Sequence, residues 1–244
     1  MAAEEGIARL LAAYPKTRPE LPAPHRAHYV DHYRANRAGE SGLQRIVRGL
    51  ESWMHRQVAA GGCQGDVLEI GAGNLNHLRY HPRAAHYDVI EPFAELWRDS
   101  PERARVRCFY GDISEIPDGV RYHSILSVAV LEHLTSLPAV LARSGRMLGE
   151  DGVFRAAVPS EGGFLWGLSW RCTTGLAYRF RRGLNYGELM RHEHVNNAAE
   201  ILALLNYYFA RVRVTRFPLP FRHLSFYTAV EARAPRLDRC MAAA

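Results

Sequence analysis

The stretch Val67-Leu68-Glu69-Ile70-Gly71-Ala72-Gly73, with the acid that closes Val89-Ile90-Glu91 20 residues after Gly71, decides how this chain folds. An apolar run this short, ended by glycine, reads as a buried strand. The two glycines let the backbone turn tightly and come close to a ligand, because neither carries a Cβ. A carboxylate at the tip of the next strand suits the two hydroxyls of a ribose. Together they describe a nucleoside site at the top of a parallel α/β sheet.

Upstream of this stretch, Leu43, Ile46, Val47, Leu50, Trp53, Met54 and Val58 recur at helical spacing and predict an amphipathic helix over residues 42–60, ended by Gly61-Gly62. Before it, Pro15, Pro19, Pro22 and Pro24 predict an irregular arm over residues 14–26. His25, His28, Tyr29, His32 and Tyr33 follow as a short polar-aromatic segment. Downstream, strand signals over residues 66–70, 86–91, 106–110, 122–130 and 153–158 alternate with helical stretches such as 137–148. That alternation implies a parallel sheet with helices on both faces. Further on, Asn197 with Glu200 reads as a capping box, and Ile201, Leu204, Leu205 and Tyr208 line one helix face. Two terminal strands, 210–217 and 223–232, flank Pro218-Leu219-Pro220.

A length of 244 residues suits one domain with additions, and is enough to bury a core without disulfide staples. No apolar run approaches the length of a bilayer, and the acidic start Met1-Ala2-Ala3-Glu4-Glu5 argues against a secretory signal, so a cytoplasmic location is expected. Cys63, Cys108, Cys172 and Cys240 are widely spaced, with no zinc-type pairing, and read as reduced thiols. The net charge of +6 is carried almost wholly by arginine, Lys16 being the only lysine. A basic surface attracts anions. No Lys/Arg run with interleaved aromatics accompanies it, so nucleic acid is disfavoured as a partner.

A dinucleotide fingerprint would ask for a third glycine where Asn76 stands. The order hydrophobic-hydrophobic-Glu69-x-Gly71-x-Gly73 instead resembles the first motif of class I methyltransferases, which bind S-adenosylmethionine (SAM), a ligand without a pyrophosphate. The resemblance runs from about Asp66 to Val158, and the order of elements carries it to the C-terminus. It implies an α/β, Rossmann-like, seven-stranded and mostly parallel sheet, with an N-terminal helical arm and a helical lid inserted after the fifth strand. It also implies that the amides of Gly71, Ala72 and Gly73, with Glu69 and Asn74, approach the methionine part of SAM. Glu91, followed by Pro92, would accept the ribose hydroxyls, Asp112 the adenine amino group, and the Ile113 amide would reach a ring nitrogen. The run Ser127-Val128-Ala129-Val130-Leu131-Glu132-His133-Leu134 would follow the fourth strand, with Ala129 and Val130 at the cofactor. Each residue also has a structural reading: Glu69 as a helix cap, Glu91 as a strand end, Asp112 as a turn residue after Gly111.

Methyl transfer from a sulfonium is an in-line displacement. Alignment supplies much of the rate, and a hydroxyl acceptor must also lose a proton, a task that suits histidine. His133 is the first candidate base. The run Arg191-His192-Glu193-His194-Val195-Asn196 is the second: a histidine with Glu193 as orienting carboxylate, or a polar turn before the Asn197 cap. In an extended segment His192 and His194 share one face and could bind a metal, but spacing offers no third ligand, so no metal is expected. Between them and the core, Trp166, Tyr178, Arg179, Arg182 and Tyr186 suit a sugar, a nucleotide or another anionic group, and read first as a helical lid with a solvated arginine face and some of these side chains toward substrate. The combination of Glu161-Gly162-Gly163, Thr173-Thr174, Tyr186 and His192-Glu193-His194 is similar to bacterial methyltransferases of surface-polysaccharide and natural-product pathways.

The resulting expectation is one methyltransferase domain: residues 1–62 as arm and helix, 63–159 as SAM-binding core, 160–209 as substrate lid, and 210–244 as the terminal strand pair and tail. O-methylation of a sugar, nucleotide-sugar or natural-product hydroxyl comes first, N-methylation of an amino sugar or amine second, and a Cys or metal-centred mechanism third. The rivals are a SAM-binding protein with a non-methylating reaction, an RNA methyltransferase and an NAD(P) enzyme. The expected partner is a small-molecule acceptor; oligomeric state stays open, a homodimer included.

Overall fold

The computed structural model describes residues 2–26, 42–62, 65–81 and 84–242; His28, Tyr29, His32, Tyr33 and Cys63 lie outside them. Strand β1 (Asp66–Ile70) sits at the middle of a seven-stranded sheet. It runs parallel to β2 (His86–Ile90) on one side and β4 (Tyr122–Val128) on the other. Beyond β2 lies β3 (Cys108–Tyr110), and beyond β4 lies β5 (Leu148–Pro159), both parallel. Then come β7 (Ser225–Pro235), antiparallel to β5, and β6 (Phe209–Pro218) at the edge, giving the order β3-β2-β1-β4-β5-β7-β6. The chain reverses direction of travel across the sheet between β1 and β4, and in such sheets a crevice opens at the carboxyl ends of the strands there.

The apolar runs are continuous because both faces of the central strands are buried. Leu68, Ile70, Ile90, Ile125, Phe154, Ala156 and Val230 belong to one core. Their neighbours Val67, Val89, Leu126, Ala157 and Ala229 belong to the other, as a period of two requires. The first core is covered by α4 (Leu137–Met147) through Leu137, Leu141 and Ala142, and by α8 (Ala198–Tyr208) through Ile201, Leu204 and Leu205. Helix α1 (Ala2–Ala12) adds Ile7, Leu10 and Leu11 to that side. The second core is covered by α2 (Gly42–Ala59) through Met54 and Val58.

Several boundaries differ from the sequence reading. Strand β4 stops at Val128, because Ala129 takes a left-handed φ of 54° and turns the chain out of the sheet. Strand β3 is short, starting at Cys108, while β5, β6 and β7 extend further along their ladders than their apolar runs. Among the described residues, the link from β1 to β2 carries a 3₁₀ turn at Leu78–Tyr80 and no longer helix, and that from β3 to β4 carries one at Ile113–Glu115. Between β2 and β3 lies the single turn α3 (Ala94–Trp97).

After β5 the chain forms the expected helical insertion. Helix α5 (Phe164–Trp170) runs through a π turn (Arg171–Gly175) into α6 (Leu176–Arg182), followed by α7 (Tyr186–Glu193). Phe164, Leu168, Leu176 and Phe180 are all exposed, Phe180 at 82%. Four-residue steps drift around a regular α-helix. The wider π turn at Arg171–Gly175 takes up part of that drift. Arg179 and Arg182 are exposed on the same insertion, whereas Tyr178 is buried against Tyr186 with ring centroids 5.4 Å apart.

Candidate active site

Gly71 and Gly73 both take positive φ, 74° and 53°. At Gly71 the space is closed as well: a Cβ there would lie 2.3 Å from Val130 Cγ2. The turn after β1 and the segment after β4 therefore touch through a glycine. The turn's amides are engaged within the chain: Gly71 and Ala72 donate to the Ile90 carbonyl at 2.8 and 3.3 Å. Gly73 N–H donates to Glu91 Oε2 at 2.8 Å, and Phe93 N–H to Glu91 Oε1 at 3.1 Å. The glycine turn thus fixes the carboxylate of Glu91, whose remaining lone pairs stay available to a diol. Glu91 is still 9% exposed at this rim, with Asn74 and Pro92 exposed around it.

Below the turn, Glu69 is buried in the sheet and accepts from the Tyr87 hydroxyl at 2.9 Å. Burial pushes its carboxyl up to about 8, against one hydrogen bond that favours the charged form. A cation placed beside it would draw the proton off. Asp112 accepts from Ser114 N–H at 2.9 Å and Ser114 Oγ at 2.6 Å, capping the 3₁₀ turn that buries Ile113; these bonds hold its carboxyl below the usual range. It is exposed at the tip of β3, in line with Glu91 at the tip of β2.

Beyond the tip of β4, Leu131–His133 forms a 3₁₀ turn. Val195 and Asn196 N–H both donate to the Glu132 carbonyl, at 2.9 and 3.0 Å. The buried Asn196 amide donates to the carbonyls of Leu131 and Leu134 at 2.8 and 2.7 Å. These four bonds clamp the loop after α7 onto the turn. The rings of His133 and His194 meet edge to face, centroids 4.8 Å apart.

Each histidine is held by its Nδ1. The Glu193 carbonyl accepts from His133 Nδ1 at 2.9 Å, and Glu161 Oε2 accepts from His194 Nδ1 at 2.8 Å. The same Glu161 oxygen accepts from Trp166 Nε1 at 2.7 Å. Glu132 is buried, its Oε1 lies 3.9 Å from His133 Nε2, and burial pushes its carboxyl up to about 7. One ligand atom from each of Glu132, His133 and His194 lies within 4.8 Å of the other two, a set that could hold a divalent cation.

The run Arg191 to His194 thus works differently from its sequence reading. It is not extended: α7 continues to Glu193, so His192 and His194 do not share a face. His192 Nδ1 meets the Pro19 carbonyl of the arm at 2.8 Å, away from His194. Glu193 Oε2 approaches His133 at 3.5 Å, and the carboxylate that orients His194 is Glu161, which spacing alone did not single out. The structure instead groups His194 with Glu132 and His133 of the turn after β4. Of the lid residues, Trp166 reaches this cluster through Glu161, while Arg179 and Arg182 remain on the outer face.

The N-terminal arm ties the cluster together. Tyr14 OH donates to Asn196 Oδ1 at 2.6 Å, and Lys16 Nζ to the Val195 carbonyl at 2.8 Å and Glu200 Oε2 at 2.9 Å. Arg18 donates to the carbonyls of His133, His192 and Glu193 at 2.7, 3.1 and 3.2 Å.

No family model and no curated protein matches the chain. Among solved structures it is similar to the N-methyltransferase NodS from Bradyrhizobium japonicum WM9 in complex with S-adenosylhomocysteine, at 15% identity and TM-score 0.55 over 96% of this chain and 99% of that one. It is similar to the plantazolicin methyltransferase BpumL, also in complex with S-adenosylhomocysteine, at 15% identity and TM-score 0.56 over 96% and 100% of the two chains. An O-methyltransferase family protein from Burkholderia thailandensis aligns over 96% of this chain and 68% of that one, at 12% identity and TM-score 0.54. With its mixed seven-stranded sheet, this chain has the fold of the class I SAM-dependent methyltransferases.

Proposed function

We propose that the chain transfers the methyl group of SAM to a small polar acceptor, with the hydroxyl of a sugar, nucleotide sugar or natural product as first choice. The observation that carries this reading is the Glu91 carboxylate, fixed by the Gly73 amide at the switch point of the sheet, with the His133–His194 cluster at the neighbouring strand tips. Glu91 takes the ribose diol, Asp112 lies toward the adenine, and Glu69 lies under the methionine part. The acceptor hydroxyl docks at His133 and His194. Its oxygen attacks the methyl carbon in line. The carbon–sulfur bond breaks with its electron pair going to sulfur, leaving a neutral thioether, and the hydroxyl proton passes to the cluster.

The test is calorimetric titration with SAM and S-adenosylhomocysteine, then mass analysis of products from a panel of sugars, nucleotide sugars and amines. Glu91→Ala should weaken SAM binding about 10-fold or more, the loss expected for charged hydrogen bonds. His194→Ala should leave SAM affinity near normal and cut turnover by about 100-fold. A methylated amine with no methylated hydroxyl would move the reading to N-methylation. SAM bound without any methylated product would favour a non-methylating reaction, and no SAM binding would overturn the cofactor assignment.

A further inference from the structure

We propose that Glu132, His133 and His194 bind one divalent transition-metal cation, and that the acceptor's oxygen completes its coordination. The inference rests on the acceptor site proposed above and assigns how that site lowers the cost of losing the proton.

The argument starts from the tautomers. A carbonyl only accepts, so the proton of His133 sits on Nδ1, facing Glu193, and Nε2 presents a lone pair. Glu161 fixes His194 in the same way, with its Nε2 turned from the carboxylate. His133 Nε2 lies 3.9 Å from Glu132 Oε1, and one ligand atom from each of Glu132, His133 and His194 lies within 4.8 Å of the other two. Glu132 is 1% exposed, and its Oε2 has no hydrogen-bond partner among the described residues. Three acceptor groups thus converge with no hydrogen bond between them among the described residues, and one is a buried carboxylate, an arrangement that a cation would satisfy.

The surroundings are those of a metal site. Histidines that ligate through one nitrogen donate through the other to a carbonyl or carboxylate, as both do here. Bonds of about 2.0–2.2 Å to a metal leave room for ligand atoms up to about 4 Å apart, so the 3.9 Å between Glu132 Oε1 and His133 Nε2 already fits. Small rotations of the side chains bring in the remaining atom. Two imidazoles and one carboxylate suit zinc, cobalt, manganese or iron(II) better than calcium or magnesium. Three protein ligands leave a position open, where a coordinated hydroxyl loses its proton far more readily than in water, passing it to solvent water because the cluster's own lone pairs then hold the metal.

The test uses the full chain stripped with a chelator and measures metal uptake, not activity. Calorimetric titration with Zn²⁺ and the absorption spectrum with Co²⁺ should show one ion per chain. Glu132→Gln and His194→Asn should abolish the high-affinity phase. Glu161→Gln should weaken it about 10–100-fold, as loss of a histidine's orienting partner does. His86→Asn, a change at an exposed histidine whose ring meets Asp66 at the far end of β1 and β2, should leave it intact. Circular dichroism of each stripped variant, with SAM affinity measured alongside, separates loss of the site from loss of the fold. Uptake that is absent, or unchanged in Glu132→Gln and His194→Asn, overturns the proposal. Metal bound without methyl transfer would instead count against the functional reading alone.

Discussion

Gly71 shows what one missing Cβ does. Its φ of 74° is expensive for any L side chain, and the nearest Val130 methyl occupies the place a Cβ would take. The positive φ costs about 1–2 kcal/mol and the overpacking about 1–3 kcal/mol. Gly71→Ala should therefore lower unfolding free energy by at least about 2 kcal/mol in a urea titration. Adding Val130→Ala should restore the packing share and leave the conformational one. A double-mutant cycle with no coupling between the two sites would show that the turn does not lean on Val130. The two glycines and Glu91 were legible because their chemistry is local. Glu161 was not: its partner His194 is 33 residues away, and nothing in the spacing says that β5 and α7 end at one point.

At the scale of elements, the strands were legible from their apolar runs, and α8 from its cap. Asn197 Oδ1 accepts from Ala199 and Glu200 N–H at 2.9 and 3.1 Å, and Glu200 Oε2 accepts from Asn197 N–H at 2.9 Å. Asn197→Ala should cost about 1 kcal/mol by chemical denaturation, mostly through α8. A cost near zero would mean that packing alone holds the start of that helix. The lid behaves oppositely. The sequence marks it as aromatic and basic, which does not say which side faces the core. The structure leaves Phe180 82% exposed, so Phe180→Asp should change stability by less than about 0.5 kcal/mol. In the β1–β2 connection, Gly71, Gly73 and Leu75 at positive φ keep the turn after β1 from coiling.

Across the whole molecule, a string of three imidazoles joins α2 to the β1–β2 link. His55 Nδ1 meets His77 Nδ1 at 2.8 Å, and His77 Nε2 meets His81 Nε2 at 2.8 Å. Burial, with the other histidines and nearby arginines, pushes them down from 6.5 to about 4 at His55 and His81 and about 2 at His77. Above pH 6.5 both folded and unfolded chains carry them neutral, and nothing is lost. As pH falls from 6.5 towards 4, the unfolded chain takes up protons that the folded one refuses, so stability drops. The urea midpoint should fall from pH 7 to pH 5 in the parent, and fall less in His77→Gln; equal slopes would remove the string from the acid response. The strand order and this string both depend on contacts between distant segments, which is why neither was legible from spacing. The arm has a consequence of the same origin. Lys16 reaches Val195 and Glu200 across 179 and 184 positions. At a ribosomal pace of roughly 5–20 residues per second, the arm waits about 10–40 s for the loop it must fasten. The residues of the glycine turn and Glu91 are therefore made well before His194, and the proposed histidine pair can assemble only after the loop at 194–200 has followed them.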